Sequence, residues 1–304
     1  MSQYILHHFD ASPFAEKVRL VFGLKQLAWR SVQIPMIMPK PDLTCLTGGY
    51  RKTPVLQIGA DIYCDTSLIA QEIDRRTPAP PLFPSGQRGL TLALSRWGDK
   101  TFFEPGAALS MGENPQVPDV VIEDRKAFFN FMDFGKLAES LPAARMQLQA
   151  NCALLEDALS CDSDYLDGNA PGYTDIQAWF VIWMTRANVP SAESLLAPFA
   201  LINRWSGRMA TIGHGDSEDI PADEALGIAR STSPGDEGSV MADNPLGLAR
   251  GDAVVVSADD YGRDEVAGEL LNLDFSSIKI RRTDDRVGDL NVHFPQLGYQ
   301  VRKR

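Results

Sequence analysis

The sequence predicts three parts in series: a small α/β domain over 1–84, an all-α domain over 88–209 and a small all-β, barrel-like domain over 251–304, with 210–250 as a linker. Three observations carry this. Short runs with a period of two interleave with helical spacing in the first 84 residues. Apolar residues then recur at three- and four-residue steps over more than a hundred residues. Finally, a Gly-, Pro-, Ser- and acid-rich stretch gives way to five short alternating runs separated by turn residues.

In order, Tyr4-Ile5-Leu6-His7-His8 reads as an apolar strand. The tight turn Phe9-Asp10-Ala11-Ser12 follows, and a helix opens at Pro13. Ser is a favoured N-cap and Pro a favoured first helical residue. A strand over 28–35, a Pro-rich loop holding Lys40, and the polar stretch ending in Gly48-Gly49 come next. Pro54-Val55-Leu56-Gln57-Ile58 and Asp61-Ile62-Tyr63-Cys64 form a hairpin about Gly59-Ala60, and Asp65-Thr66-Ser67 caps a helix. His7 and His8 point to opposite faces of one strand and cannot form a site together.

Helices are expected over 90–103, 119–139, 142–161, 174–188 and 191–209. The many aromatic residues among them are mainly core. Within the linker, residues 222–230 and 242–250 match at six of nine positions and read as two similar turns. The five C-terminal strands fall over 253–256, 266–273, 278–281, 290–294 and 299–301, with Asp259-Asp260-Tyr261-Gly262 among the turns.

Net charge is −11 over 304 residues, distributed as +2, −5 and −8 over 1–86, 87–209 and 210–304. This acidic balance argues against nucleic acid and anionic membrane as partners, while the slightly basic first segment suits a small anionic ligand. The cysteines, Cys45, Cys64, Cys152 and Cys161, lack CxxC spacing and a His cluster. No metal site is expected, and they read as reduced thiols of a cytoplasmic protein. No signal peptide is evident, and the apolar run 178–184 is too short to span a bilayer.

With these residues in place, the chain resembles the glutathione S-transferase family. Residues 1–86 resemble its thioredoxin-like N-terminal domain, and the helical segment has the position and length of its C-terminal domain. Ser12-Pro13-Phe14 with Lys17-Val18-Arg19 resembles the family's catalytic Ser/Cys turn. Thr53-Pro54-Val55-Leu56 resembles its cis-proline element. Asp65-Thr66 resembles its Glu/Asp-Ser pair, and Gly172-Tyr173-Thr174-Asp175 resembles the capping box of a central helix. Gly172 replaces the usual Ser or Thr, and Thr53 the usual Val. The likeness covers about residues 1–209, and the last 95 residues lie beyond the usual family length.

The resemblance implies a glutathione transferase in which glutathione is a co-substrate and no cofactor is needed. A free thiol titrates near 8.5, so lowering its pKa by about two units takes roughly 2.7 kcal/mol of preferential thiolate stabilisation. Ser12, at a helix start, is the implied catalytic hydrogen-bond donor, although Ser-Pro is also an ordinary helix start. Thr53 and Pro54 would pair with the cysteinyl backbone. Asp65 would hold the γ-glutamyl ammonium, Thr66 its carboxylate, and Lys40 and Lys52 the glycyl carboxylate. Phe9, Phe14 and Trp97 are candidates for an apolar second-substrate pocket, and a homodimer is implied. The alternative is a non-catalytic glutathione-binding or interaction protein whose C-terminal β domain recognises a partner.

Overall fold

A computed structural model of the chain describes residues 3–84 and 86–304. They form two compact units: one gathers the residues up to Ala15, Ala28–Glu72 and Asp216–Arg304, the other Glu16–Leu27 and Ile73–Gly215. The chain passes between them within α1 (Pro13–Leu24) and α3 (Thr66–Arg76).

The first unit begins with β1 (Ile5–His8), followed after α1 by β2 (Ala28–Gln33), α2 (Pro41–Thr47), β3 (Val55–Ile58) and β4 (Asp61–Cys64). β2 lies parallel to β1, while β3 is antiparallel to both β1 and β4, in the mixed order expected of a thioredoxin-like sheet. Ile58 pairs with Asp61, and Gly59 at φ +63° supplies the positive dihedral that a two-residue hairpin requires.

In the second unit, the first expected helix is longer than its periodicity suggests. It comprises α4 (Arg88–Arg96), a π-helical stretch over Trp97–Phe102 and α5 (Phe103–Glu113). The π stretch carries Asp99, which pairs with the fully buried Lys17 at 2.5 Å. The helix expected over 119–139 stops early as α6 (Asp119–Phe128), and the one expected over 142–161 starts early as α7 (Leu137–Ala158). Asp133 accepts the Gly135 N–H between them at 2.9 Å, a side-chain-stabilised turn that competes with the helix. α8 (Tyr173–Asn188) follows. The segment expected as one helix over 191–209 is split at Pro198-Phe199 into α9 (Ala192–Leu196) and α10 (Ala200–Met209). Glu156 accepts the Leu201 and Ile202 N–H groups at the start of α10, each at 2.8 Å.

The start of α8 explains Gly172. A Cβ there would come within 2.2 Å of Asp167 Oδ2. That carboxylate accepts the Thr174 N–H at 3.0 Å and so replaces the missing cap hydroxyl.

The stretch read as a linker is structured. β5 (Asp216–Asp219) pairs parallel with β2, and α11 (Ala222–Ser231) packs its buried Ala225, Leu226 and Ala229 on the sheet unit. The two sequence copies therefore diverge: the first is a helix and the second a set of turns, because Pro245 sits where the first copy has Ala225.

β6 (Ala253–Ala258), β7 (Val266–Leu273), β8 (Ser277–Asp284), β9 (Gly288–Pro295) and β10 (Tyr299–Lys303) occupy the five expected runs. They pair antiparallel in a β-rich region that is not set apart as a separate barrel. β9 lies parallel to β4, giving one sheet of order β10-β6-β7-β8-β9-β4-β3-β1-β2-β5. Its seam is specific. The Asn291 N–H donates to Ala60 O at 3.0 Å, Asp61 Oδ1 contacts Asn291 Nδ2 and His293 Nε2 at 3.0 and 2.8 Å, and Tyr63 stacks on His293 at 4.4 Å. The apolar side chains form one core, joining Ile5, Val55 and Ile62 to Val254, Ile280 and Val292. Burying that shared face contributes roughly 25 cal/mol per Å² of apolar surface, so the C-terminal strands belong energetically to the thioredoxin-like sheet.

Candidate glutathione site

The expected site residues up to Ala15 and over 28–72 all lie in the sheet unit. Ser12 is buried at the turn before α1. Its N–H donates to Phe9 O at 3.0 Å, and its Oγ accepts the Ala15 N–H at 3.2 Å. It is an N-cap, and that bond uses an oxygen lone pair while leaving the hydroxyl proton for another acceptor. The helix start adds its own positive partial charge.

Thr53-Pro54 is cis. Lys40 is buried beside it, with Nζ donating to Thr53 Oγ1 at 3.0 Å and to Arg51 O at 3.2 Å and lying 5.7 Å from the centre of the Phe9 ring. Lys40, Thr53 and Phe9 are therefore neighbours. Asp65 opens α3 at φ +78°, a left-handed conformation that non-glycine residues seldom adopt. Its Oδ1 accepts both the Ser67 N–H and the Ser67 hydroxyl at 2.9 Å, while Thr66 is buried in the first turn.

The sequence reading missed the other half of this neighbourhood, which comes from Tyr50 and the C-terminal strands. Lys52 Nζ lies 2.5 Å from Asp260 Oδ1 and stands over Tyr261, 4.4 Å from the ring centre, and over Tyr299 at 5.9 Å. The Tyr299 hydroxyl donates to Asp65 Oδ2 at 3.4 Å and lies 2.9 Å from the Tyr50 hydroxyl. Burial holds both phenols well above their ordinary pKa, with the negative charge of Asp65 acting in the same direction, so both stay protonated. The only signal available in sequence was the Asp259–Gly262 turn, and nothing local connects it to Lys52.

The remaining candidates are placed as follows. Phe14 is half-buried in the first turn of α1. Trp97, in the helical unit, stacks on Phe102 at 5.0 Å and donates its indole N–H to Asn151 at 2.8 Å. His7 is a core residue: its Nε2 lies 2.8 Å from Gln57 Oε1, and burial lowers its pKa from 6.5 to about 4. Cys64 is fully buried, and burial pushes its thiol well above the ordinary range, which disfavours thiolate chemistry. All four cysteines are free. Among the described residues, no three His, Cys, Asp or Glu side chains gather as metal ligands, and no helix is long and apolar enough to cross a membrane.

Known proteins point the same way. The profile of the glutathione S-transferase N-terminal domain matches residues 6–81. The chain is 24% identical over 127 residues to glutathione S-transferase U4 of Arabidopsis thaliana, a match that spans 41% of this chain and 56% of that relative's length. It is also 24% identical over 236 residues to FtsZ-localized protein A of Caulobacter vibrioides, covering 71% of this chain and 97% of that one. The crystal structure of a GST-like protein from Pseudomonas syringae superposes with a TM-score of 0.81 at 36% identity over the whole of both chains. That full coverage takes in the C-terminal strands as well as the thioredoxin-like and helical segments. The chain belongs to the glutathione S-transferase family and carries an additional C-terminal β-rich region.

Proposed function

We propose that the protein is a cytoplasmic, homodimeric glutathione transferase that activates the glutathione thiolate for attack on an apolar electrophile. Ser12 carries the reading: it caps α1 through its oxygen lone pair and retains an O–H for the sulfur. Asp65 holds the γ-glutamyl ammonium, Thr66 and the α3 amides its carboxylate, and the Thr53 backbone the cysteinyl unit. Lys40 lies beside Thr53 and supplies positive charge to that wall. Phe9 and Phe14 are assigned to the electrophile. Glutathione is the co-substrate, and the chemistry needs no resident cofactor. Isomerisation and peroxide reduction use the same thiolate and are variants of this reading.

The test is Ser12→Ala. Conjugating activity should fall ten- to a hundredfold, equivalent to about 1.4–2.7 kcal/mol of lost thiolate stabilisation, and the thiolate absorbance of bound glutathione should fall with it. If both survive, Ser12 does not hold the thiolate.

A second reading is a glutathione-binding protein without turnover whose C-terminal β region recognises a partner. It is favoured by the match to FtsZ-localized protein A, which spans nearly all of that relative. Retention on immobilised glutathione, with no activity against a broad panel of electrophiles, would select it.

A further inference from the structure

The acid assigned to the γ-glutamyl ammonium is held from two sides, and one of them lies in the C-terminal β-rich region. Ser67 fixes Asp65 Oδ1 through two donors at 2.9 Å, from within the same helix start. Oδ2 receives one protein donor among the described residues, the Tyr299 hydroxyl at 3.4 Å. Tyr299 opens β10, where it pairs with Ala258 of β6. Its buried ring packs against those of Phe294 and Tyr50, with centres at 5.4 and 6.4 Å. Phenylalanine would fill that space, so packing alone does not call for a hydroxyl, and a buried hydroxyl is costly unless it is partnered. Two partners lie within reach of it, the Tyr50 hydroxyl at 2.9 Å and Asp65 Oδ2. A carboxylate only accepts, so the Tyr299 proton goes to Asp65 and the Tyr50 proton to the Tyr299 oxygen. The reverse order would turn a Tyr299 lone pair onto the carboxylate and leave the Tyr50 proton without an acceptor among the described residues. Burial, with the charge of Asp65 acting in the same direction, keeps both phenols protonated, so the donor persists at neutral pH.

We propose that Tyr299 is a positioning residue for glutathione: backed by Tyr50, its hydroxyl holds Asp65 in the orientation that receives the γ-glutamyl ammonium, so that the C-terminal β-rich region completes the glutathione wall. This inference rests on the glutathione reading above. Each carboxylate oxygen accepts in two directions, so a single long bond from Tyr299 leaves Oδ2 room for an ammonium. With a donor on each oxygen, rotation of the carboxylate is restricted before the ligand arrives, and less freedom is lost on binding. The Tyr299 ring stays buried throughout. It acts on the ligand through Asp65 and does not touch it.

The experiment is calorimetric titration of the full-length protein with glutathione and with its desamino analogue, in which hydrogen replaces the γ-glutamyl amine, read as the ratio of the two affinities. The wild type should favour glutathione about tenfold. Tyr299→Phe keeps the ring and should lower that preference about fivefold. Tyr50→Phe leaves the Tyr299 proton on Asp65 and should change it by less than about twofold. The double variant Tyr50→Phe/Tyr299→Phe strands no hydroxyl and should match Tyr299→Phe. Adding Tyr299→Phe to Asp65→Asn should lower the preference no further, because the carboxylate it orients is gone. Because both ligands are titrated into the same preparation, any loss of folded protein cancels from the ratio. A preference that Tyr299→Phe does not move, that Tyr50→Phe lowers as much, that the double variant restores, or that falls further when Tyr299→Phe is added to Asp65→Asn overturns this assignment while leaving the glutathione reading intact. So does a wild type that binds glutathione and its analogue equally. A wild type that binds neither ligand overturns the glutathione reading, and this inference with it.

Discussion

Two helix starts in this molecule each carry an aspartate and differ in what surrounds it. At the start of α8, Asp175 is fully buried and accepts four donors: the N–H groups of Leu166, Asp167 and Gly172 and the Trp205 indole, at 2.9, 3.3, 3.1 and 2.8 Å. At the start of α3, Asp65 is half-buried in a strained left-handed conformation. One of its oxygens takes both Ser67 donors, while the other has only the 3.4 Å contact from Tyr299 among the described residues. A carboxylate whose acceptor capacity is saturated holds the chain together. A carboxylate with one oxygen held weakly, at a strained position, retains capacity for a ligand. The helix-start aspartate of the helical unit is thus saturated by protein donors, while that of the sheet unit keeps one weakly held oxygen.

Asp175→Asn should give the largest stability loss of any change considered. Asparagine offers one carbonyl oxygen and a donor amide, so two of the four donors would face an N–H₂ group inside the core. Leaving buried donors unpaired costs about 1–3 kcal/mol each, which predicts a loss of roughly 3–5 kcal/mol. Urea unfolding at neutral pH measures it, and a loss below about 1 kcal/mol would show that Asp175 is not the saturated anchor its contacts describe.

Acid acts on His7 and Asp175 with opposite sign. Burial lowers His7 from 6.5 to about 4, so native His7 stays neutral where the unfolded chain takes up a proton. Stability from this group is fully present above pH 6.5 and is lost as pH falls toward 4, by at most about 3 kcal/mol. Asp175 runs the other way. Burial raises it from 3.8 to about 6, so its contribution is fully present below 3.8 and is lost as pH rises through 6. His7→Gln should flatten the decline in stability between pH 6.5 and 4 by about one proton's slope. Unfolding midpoints at three pH values across that window test it, and an unchanged slope would mean that another group carries the acid sensitivity.

What could be read in advance follows from how local each signal is. Ser12-Pro13, the Gly59 hairpin, Asp65-Thr66 and the five C-terminal strands are set by neighbours within a few residues, and the strands emerge from period two alone. β5 is written Asp-Ser-Glu-Asp, with no apolar alternation and little strand propensity. It pairs because β2 offers an open edge, and its charges suit an exposed outermost strand. The β4–β9 seam depends on Asp61 meeting Asn291 and His293 across 230 residues of sequence, a partnership that no window of a few residues contains. The Lys52–Asp260 pair, 208 residues apart, escaped for the same reason, so the site was legible only on its N-terminal side. Lys40 was legible as a charge in the right loop, but not as a residue that spends two hydrogen bonds on Thr53 and Arg51.

Asp65→Asn should give the smallest change in stability, and it is the decisive counterpart to Asp175→Asn. Asparagine tolerates the left-handed conformation and can still present an oxygen to the Ser67 N–H and hydroxyl. The fold should therefore lose no more than about 0.5 kcal/mol. Binding should behave differently. Removing the negative charge that is assigned to the γ-glutamyl ammonium should weaken glutathione about tenfold, or ~1.4 kcal/mol. Thermal unfolding and glutathione titration on the same preparation separate the two effects. If the variant unfolds as readily as Asp175→Asn while binding glutathione unchanged, then Asp65 is a structural cap like its counterpart in α8, and the anion- and ammonium-binding wall must be sought elsewhere in the sheet unit.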